Sequence, residues 1–492
     1  MTTFTNPILA GDRPDPAIIK VGDEYWMTYS SFEAAPGLLL YRSTDLVNWT
    51  YVTAALPKPI GNTFAVDIAE HDGRFFIYIP FIPTPWSTLT DASIFVIHAD
   101  AMAGPWSDPV DLGIRGAIDP GHVVGEDGKR WLFVNGIRRI GLTDDGLSTV
   151  GELEKVYDGW RYPDEWVTEA YALEGPKLLR RGEWLYIVSA VGGTAGPATG
   201  HMVIVARSRS VHGPWENHPR NPIARTTDAA EHWWSRGHAT LVPGPGASVD
   251  DDAWWMVSHG YENGYRTLGR QILLESITWT ADGWPEPGVM DIGGELEAPS
   301  GAAPQHPSAA VVDDFSTLAL GERWGFHAPS PDELDRVRLD DGLRLTGKGA
   351  GIGDTSPLAM LTGDHSYEVE VDVDATALHG EAGLLLFFNN RLFVGMGIDG
   401  QGMRSYSGGI RTHWRQPVPT ADRLTLRIRN DAHIVTGWFR ADGGEWERHY
   451  VRYETSGYHA NTIGDLLSLR PALYASGEGE AVFRDFRYTP LS

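Results

Sequence analysis

The chain of 492 residues contains no cysteine, fewer basic than acidic residues and no long apolar run. Without cysteine, disulfide bonds and thiolate metal sites are excluded. With 40 Lys and Arg against 65 Asp and Glu, the formal net charge is −25. This charge argues against nucleic acid and anionic membranes as partners, because both bind basic surfaces. No stretch approaches the roughly 18 apolar residues that a membrane-spanning helix needs.

The composition predicts a folded protein that is rich in strands. Hydrophobic residues make up 42% and charged residues 21%, and the length is sufficient for two or three domains. The 57 Gly, 32 Pro and 19 Trp residues favour many short strands and turns over long helices, with most aromatic side chains in sheet cores. The first ten residues lack the basic and apolar segments of a secretion signal, so we expect a cytoplasmic protein.

A short pattern recurs five times in the first 260 residues: a polar or acidic residue, a spacer, and then an aromatic-rich run. The runs begin at positions 25, 75, 131, 184 and 254, which gives gaps of 50, 56, 53 and 70 residues. A period in this range predicts a β-propeller, in which each repeat forms one four-stranded sheet around a central axis. Equivalent positions of all repeats then converge on that axis. The converging residues are Asp15, Asp67, Asp119, Glu174 and His238.

A second domain is predicted after the repeats, which end near Pro287. Residues 298–310 are small and proline-rich, as expected of a linker. Beyond them, apolar and polar residues alternate in several segments, for example 366–373, and regularly spaced strands of this kind predict a β-sandwich. The predicted chain is therefore all-β, with a five-bladed β-propeller over 1–298, a linker over 299–311 and a concanavalin-like β-sandwich over 312–492.

Three of the five axial residues are carboxylates beside prolines. Asp15 lies between two prolines, Asp119 precedes one, and Glu174 is followed by Gly-Pro. Proline fixes the local backbone, so the side chain beside it is aimed rigidly. A single Asp-Pro is common in turns, whereas three such carboxylates around one axis predict an acidic pocket. Neighbouring carboxylates drive their pKa values apart, and glycoside hydrolysis requires one ionised and one protonated carboxyl group.

Seven phrases of the sequence match a known family. They are Asn6-Pro7-Ile8-Leu9, Arg13-Pro14-Asp15-Pro16, Leu173-Glu174-Gly175-Pro176, Gly192-Gly193-Thr194, Arg236-Gly237-His238, Leu268-Gly269-Arg270 and Asp282-Gly283-Trp284-Pro285. On these phrases, residues 6 to about 287 resemble glycoside hydrolase family 43. The C-terminal part is similar in strand pattern and position to the β-sandwich of the β-xylosidase-like members. The resemblance implies a five-bladed propeller and hydrolysis with inversion of configuration.

The resemblance also implies a role for each carboxylate. Asp15 is the general base that activates water, Glu174 is the general acid that protonates the leaving oxygen, and Asp119 raises the pKa of Glu174 and orients it. An inverting enzyme needs base and acid about 6.5–9.5 Å apart to leave room for the water. The implied enzyme is exo-acting on plant cell-wall oligosaccharides, with β-1,4-xylosides first and α-L-arabinofuranosides as a close alternative. It requires no cofactor.

Five residues are predicted to bind the sugar: Phe32, Phe64, Asp67, His238 and Arg270. The resemblance implies that Arg270 contacts the sugar in the buried subsite, although a structural ion pair is the other interpretation of this residue. It further implies that Phe32 forms an aromatic wall and that Asp67 bonds sugar hydroxyls. Phe64 begins a Phe-Ala-Val phrase where the family often has Trp-Ala-Pro. This difference changes the pocket wall and leaves the exact sugar undetermined.

His238 matches a family histidine near the propeller axis, which in many members helps hold a calcium ion through water. Considered alone, a histidine is more often a hydrogen-bonded core residue, and calcium prefers oxygen ligands. Calcium, where bound, would be structural or would tune nearby groups. Trp86 and the pair Trp233 and Trp234 are further candidates for stacking on sugar rings.

Two other functions stay open at this point. A retaining fructosidase has a similar five-bladed fold, but its Asn-Asp-Pro-Asn opening is absent here. A non-catalytic propeller that binds carbohydrate would need no matched acid and base. The sequence does not determine the oligomeric state or the role of the C-terminal domain.

Overall fold

The computed structural model describes residues 2–84, 87–412, 421–441 and 443–491. Strands dominate these residues and form five small sheets followed by one large curled sheet. Helical structure in this part of the chain is limited to one α-helix and four 3₁₀ turns: Ala460–Ile463, and then Leu89–Asp91, Arg266–Leu268, Glu333–Arg336 and Ile352–Asp354. No helix among the described residues is long and apolar enough to cross a membrane.

Five antiparallel sheets form the blades of a propeller, and the innermost strands of neighbouring blades are in contact around the axis. From the axis outward, blade 1 comprises Ala17–Val21, Glu24–Thr28, Gly37–Ser43 and Thr50–Leu56, and blade 2 comprises Asp67–His71, Arg74–Ile82, Ser93–Ala99 and Val110–Arg115. Blade 3 comprises Gly121–Val124, Arg130–Val134, Arg138–Leu142 and Thr149–Lys155. Blade 4 comprises Glu174–Arg181, Trp184–Val191, Met202–Ser208 and Glu216–Asn217, and blade 5 comprises Trp233–Pro243, Trp254–Glu262, Arg270–Trp279 and Pro285–Pro287. The short strands Asn62–Thr63 and Ala224–Arg225 add to blades 2 and 4.

The second strand of each blade is the aromatic-rich run that marks a repeat in the sequence. These strands read as continuous apolar runs because both of their faces are covered. Aromatic side chains also fill the space between blades. The ring of Trp279 in blade 5 packs edge-on against Tyr186 of blade 4, with centroids 5.1 Å apart, and against Trp254 at 5.3 Å. The five-bladed propeller predicted from the repeats is therefore confirmed.

The N-terminal segment packs against the last blade. Thr3–Thr5 pairs antiparallel with Glu295–Glu297, beyond the outermost strand of blade 5. The backbone N–H of Ile8 then donates to the carbonyl oxygen of Ile272 in blade 5 at 3.0 Å. These contacts hold the start of the chain in place, and Asp15 follows a few residues later.

From residue 311 onward the chain forms one large curled antiparallel sheet. Its main path runs through Ile410–Arg411, Gly402–Ser407, Leu392–Asp399, Leu378–Asn389, Arg470–Pro490, Ser366–Asp374, Arg423–Asp431, Ile434–Arg440 and Glu447–Glu454. Five shorter strands pair beside this path: Val311–Asp313, Trp324–His327, Val337–Leu339, Leu343–Thr346 and Leu358–Met360. The two halves of the sheet bury their apolar side chains in a common cluster, so the predicted sandwich is built from one sheet that curls on itself.

A short strand of the propeller belongs to this C-terminal sheet. Ala34–Ala35, which follows the second strand of blade 1, pairs antiparallel with Trp324–His327. The preceding Phe32 is 5% exposed and packs into the apolar cluster of the C-terminal domain. The two domains therefore share both a β-ladder and a stretch of core.

Candidate active site

The five residues predicted to converge all lie on or next to an innermost strand. Asp15 and Asp119 precede the innermost strands of blades 1 and 3, Asp67 and Glu174 begin those of blades 2 and 4, and His238 lies within that of blade 5. The φ angles of Asp15, Asp119 and His238 are +58°, +56° and +53°. This left-handed conformation costs a non-glycine residue about 1–3 kcal/mol and is concentrated at functional sites. The shared geometry marks the axis as the candidate active site.

Asp15 is buried and surrounded by donors. Nη1 of Arg270 lies 2.9 Å from Oδ1 of Asp15, and the hydroxyl of Ser30 donates to Oδ2 at 2.6 Å. Burial is the largest single influence and raises the pKa of Asp15, but the Arg270 guanidinium and the neighbouring His238 and His259 together outweigh it and hold the pKa of Asp15 well below its usual range. Asp15 is therefore ionised at neutral pH.

Two residues without a predicted role, His259 and Thr194, complete the surroundings of Asp15. The backbone N–H of Asp15 donates to Nδ1 of His259 at 2.9 Å, so the ring carries its proton on Nε2, which lies 3.2 Å from the hydroxyl of Thr194. Burial lowers the pKa of His259 to about 3, so the ring is neutral. Nη1 of Arg270 lies 3.5 Å from the same hydroxyl. Thr194 thus contacts both groups that contact Asp15.

Glu174 lies within electrostatic range of Asp15 but in different surroundings. Its side chain is 22% exposed, and Oε1 lies 3.4 Å from Nε2 of His201. Burial, followed by the negative charge of Asp15, raises the pKa of Glu174 to about 8. His201 is fully buried, and burial lowers its pKa to about 4. At neutral pH, Glu174 is therefore protonated and the neighbouring His201 is neutral.

Asp119 lies next to the backbone that presents Glu174. Its Oδ2 accepts the N–H of Gly175 at 3.1 Å. Burial and the neighbouring Glu174 raise the pKa of Asp119 well above its usual range, so the two carboxyl groups resist being ionised together. Gly175 has a φ of +60°, and a Cβ at this position would lie 2.9 Å from the ring of His238. Only glycine permits this close approach.

Three of the predicted sugar-binding residues lie together. The rings of Phe32 and Phe64 meet edge to face with centroids 5.3 Å apart, and the guanidinium of Arg270 lies 5.5 Å from the centroid of Phe32. Arg270 is 2% exposed, and its Nε and Nη2 have no partner among the described residues. Buried donors without partners are costly. The hydroxyl groups of a bound sugar would satisfy them.

Asp67, by contrast, is engaged by protein groups. Its Oδ1 lies 3.1 Å from Nζ of Lys177, and its Oδ2 accepts the backbone N–H of His122 at 2.7 Å. The same Nζ reaches the carbonyl oxygens of Val66 and, at 3.4 Å, of Pro120. Asp67 therefore joins blade 2 to blade 4 through the ion pair with Lys177, and to blade 3 through the hydrogen bond from His122. Lys177 is a further axial residue that the sequence reasoning missed.

The surroundings of His238 bear on the predicted calcium site. Its Nδ1 lies 3.5 Å from Oδ1 of Asp15, and its buried Nε2 has no partner among the described residues. Burial lowers the pKa of His238 well below its usual range, so the ring is neutral. In the part of the chain that the structure describes, no group of three or more His, Cys, Asp or Glu could hold a metal ion. The protein thus offers one imidazole nitrogen, and calcium bound through water remains a prediction.

The tryptophans predicted to stack on sugars differ in placement. Trp233 is 2% exposed and belongs to a buried cluster. The indole N–H of Trp234 donates to the carbonyl oxygen of Ala229 at 3.0 Å, and the guanidinium of Arg266 lies 5.0 Å from its ring. Trp86 lies outside the described residues.

Comparison with known proteins identifies the family. Residues 4–285 match the sequence profile of Glycosyl hydrolases family 43. The chain belongs to this family. The protein is therefore a glycoside hydrolase, and the resemblance predicted from the seven phrases is confirmed.

Curated relatives in the family have names that refer to two activities. A "Non-reducing end alpha-L-arabinofuranosidase BoGH43B" of Bacteroides ovatus is 35% identical over 70% of this chain, and the match spans 65% of that relative. A "Xylan 1,3-beta-xylosidase" of Vibrio sp is 31% identical over 90% of each chain. A "Xylosidase/arabinosidase 43B" of Humicola insolens is 30% identical over 100% of this chain and 98% of its own length.

Solved structures of the family share the whole architecture. The structure described as Bacteroides ovatus Xyloglucan PUL GH43B is 26% identical and superposes with a TM-score of 0.86, covering 99% of this chain and 100% of that one. A xylan beta-1,4-xylosidase from Bacillus halodurans C-125 has the same TM-score and coverage at 24% identity. The propeller followed by a second β domain is thus a shared fold.

Proposed function

We propose that the protein is an inverting exo-glycosidase that hydrolyses terminal pentosyl residues of plant cell-wall oligosaccharides. The observation that carries the proposal is the opposite shift of two carboxyl pKa values. Arg270 holds Asp15 ionised, whereas burial and the charge of Asp15 raise the pKa of Glu174 to about 8. At one neutral pH, the first group accepts a proton and the second donates one, which is the division of labour that acid–base catalysis needs.

In the proposed reaction, water attacks the anomeric carbon while the bond from that carbon to the leaving oxygen breaks. Asp15 removes one proton from the water, and Glu174 gives its proton to the leaving oxygen. The products are a pentose of inverted configuration and the shortened oligosaccharide. Asp15 ends protonated and Glu174 ionised, so exchange with solvent restores both groups for the next turnover.

The contact between Asp119 and Gly175 supports the role of Asp119 as the residue that raises the pKa of Glu174. Two adjacent carboxyl groups bind a single proton tightly because both cannot easily be ionised. The hydrogen bond from the Gly175 N–H favours the ionised form of Asp119. In the proposed mechanism the shared proton resides on Glu174, where the leaving oxygen needs it, while burial and the neighbouring Glu174 also raise the pKa of Asp119.

The proposed substrate class rests on the names of the relatives and on the side chains around Arg270. The names of these relatives refer to xylosidases and arabinofuranosidases. The free Nε and Nη2 of Arg270 suit neighbouring hydroxyl groups, and the rings of Phe32 and Phe64 offer an apolar surface to the sugar. We propose that β-1,4-xylosides and α-L-arabinofuranosides are both candidate substrates, with a small oligosaccharide as the natural partner and no required cofactor.

Of the alternatives considered from the sequence, membership in a hydrolase family excludes the non-catalytic propeller. A retaining mechanism differs in the anomer that is released first. The ¹H NMR spectrum at early times therefore distinguishes the two mechanisms, and we expect the inverted pentose to appear before mutarotation. The retained anomer as first product would contradict the proposal.

Replacement of the two catalytic carboxylates provides the direct test. We expect Asp15→Asn to lower kcat/KM at least about 10²-fold on every aryl pentoside. Glu174→Gln should cost as much on a phenyl pentoside but far less on the 2,4-dinitrophenyl pentoside, because that leaving group departs without a proton. Glu183→Gln, at an exposed acid of blade 4, is the matched control and should change neither rate. Equal losses on both substrates for Glu174→Gln would remove the acid assignment.

A further inference from the structure

A glycine-rich loop of blade 4, residues 192–200, carries Thr194 into contact with the active site. Gly192, Gly193 and Gly196 have φ angles of +99°, +77° and +76°, which suit glycine and leave the loop little conformational restraint of its own. Within the propeller, Oε2 of Glu169 accepts the N–H of Ala195 at 2.8 Å. The position of this loop therefore depends on the contacts that it makes.

The C-terminal domain supplies two of those contacts through one side chain. The N–H of Gly196 donates to Oδ1 of Asn461 at 2.8 Å, and Nδ2 of Asn461 donates to the carbonyl oxygen of Gly196 at 2.9 Å. Nη2 of Arg266 donates to the same carbonyl oxygen at 2.8 Å. Asn461 thus satisfies the donor and the acceptor of one residue at once, as a neighbouring strand would.

Asn461 is itself held in place by its domain and by the propeller. It lies in the short helix Ala460–Ile463, where its N–H donates to Nδ1 of His459 at 3.3 Å. A few residues later, the N–H of Leu469 donates to the carbonyl oxygen of Thr267, next to the Arg270 strand, at 2.8 Å. The segment that carries Asn461 is therefore docked on the propeller beside the active site.

A short series of contacts connects Asn461 to the base. Gly196 is two residues from Thr194, whose hydroxyl lies 3.2 Å from Nε2 of His259 and 3.5 Å from Nη1 of Arg270. Both of these groups contact Asp15 directly. A shift of the loop would move the Thr194 hydroxyl away from the two groups that fix the base.

We propose that Asn461 of the C-terminal domain is a positioning residue for the active site of the propeller. It holds the 192–200 loop so that Thr194 stays against Arg270 and His259. Its effect on turnover rests on the proposed function, whereas its effect on the loop does not. The C-terminal domain then acts on catalysis through two hydrogen bonds to the backbone of the loop.

Hydrogen–deuterium exchange of the full chain tests the first part. In Asn461→Ala, peptides covering residues 192–200 should exchange up to about tenfold faster, because the bond that protects the Gly196 N–H and the bond that holds the Gly196 carbonyl oxygen are both lost. Asn461→Asp keeps the acceptor for the Gly196 N–H and loses the donor, so it should give an intermediate rate. Thr462→Ala is the control, since among the described residues its hydroxyl bonds only Gly457, within the same domain. Unchanged exchange of the loop in Asn461→Ala overturns the proposal.

Steady-state kinetics against pH tests the second part. We expect Asn461→Ala to lower kcat/KM about 3- to 10-fold at an unchanged melting temperature, and to move the acid limb of the profile upward as Arg270 loosens from Asp15. Thr462→Ala should match the parent protein. Faster loop exchange with an unchanged profile would overturn the positioning role. A parent protein that hydrolyses no pentoside would refute the proposed function, while the exchange experiment would still decide whether Asn461 holds the loop.

Discussion

The ion pair between Arg270 and Asp15 makes the pH dependence of the enzyme predictable. Nη1 of Arg270 lies 2.9 Å from Oδ1 of Asp15, and both side chains are buried. An opposite charge at this distance lowers a carboxyl pKa by about 1–3 units. Arg270→Met removes the charge and keeps much of the volume, so the pKa of Asp15 should rise by that amount. Asp15, the proposed base, is then protonated, and activity is lost, at a higher pH than in the parent protein.

The assay is kcat/KM for an aryl pentoside, measured from about pH 4 to pH 9. We expect the acid limb of Arg270→Met to move upward by about 1–3 pH units, together with a loss at the plateau from the missing sugar contact. Arg270→Lys keeps the charge and loses the planar fork, so its limb should stay nearer the parent while KM rises. Arg130→Met removes another buried guanidinium, bonded to His122 and Tyr78, and should leave the limb in place. A folded Arg270→Met with an unmoved acid limb would refute the reasoning.

Three further predictions follow from the same contacts. The pKa of Glu174 is about 8 in the folded protein against 4.5 for an ordinary glutamate, so the parent loses stability as pH rises between these values. In urea unfolding, the stability of Glu174→Gln relative to the parent should therefore increase by on the order of 3 kcal/mol from pH 5 to pH 9. The same stability difference between variant and parent at both pH values would contradict this. Asp67→Asn and Lys177→Met should each lower the free energy of unfolding by about 3–5 kcal/mol, because each leaves a buried charge or polar group without its partner. In a double-mutant cycle of denaturation, the double variant should lose less than the sum of the two. Additive losses would refute the pairing. Gly175→Ala should lower both the melting temperature and kcat/KM. Gly182→Ala is the control: its φ is also about +60°, but the space around it is open, so it should lower the melting temperature alone. Equal kinetics in the two variants would refute the steric argument.

Much of the propeller could be predicted from the sequence because its signal is local and repeated. Each second strand is an apolar run bounded by turn residues, and the five runs recur at a period that suits blades. The same equivalence brought Asp15, Asp119 and Glu174 to the innermost strands of blades 1, 3 and 4. The left-handed backbone at Asp15 and Asp119 was not predicted, because a residue before proline ordinarily adopts an extended conformation.

The partners of the axial residues could not be predicted in the same way. His201 directly precedes the third strand of blade 4 and His259 lies in the second strand of blade 5. A repeat pattern does not state which side chains from different blades meet. The sequence likewise placed Asp67 at the axis but gave no sign that Lys177, from another blade, lies beside it. The contact of Asn461 with Gly196 joins residues 265 positions apart, and only the docking of the two domains creates it.

The ladder between Ala34–Ala35 and Trp324–His327 has a consequence for how the protein is made and trimmed. On the ribosome, the first of these strands emerges almost 290 residues before its partner (35 against 324), so blade 1 cannot reach its final form until most of the polypeptide has been translated. Until then Phe32 lacks its apolar neighbours from the C-terminal domain. It lies two positions from Ser30, whose hydroxyl donates to Asp15. Cutting the gene after the propeller would leave that strand permanently unpaired, and the shortened product should aggregate rather than serve as a smaller catalyst.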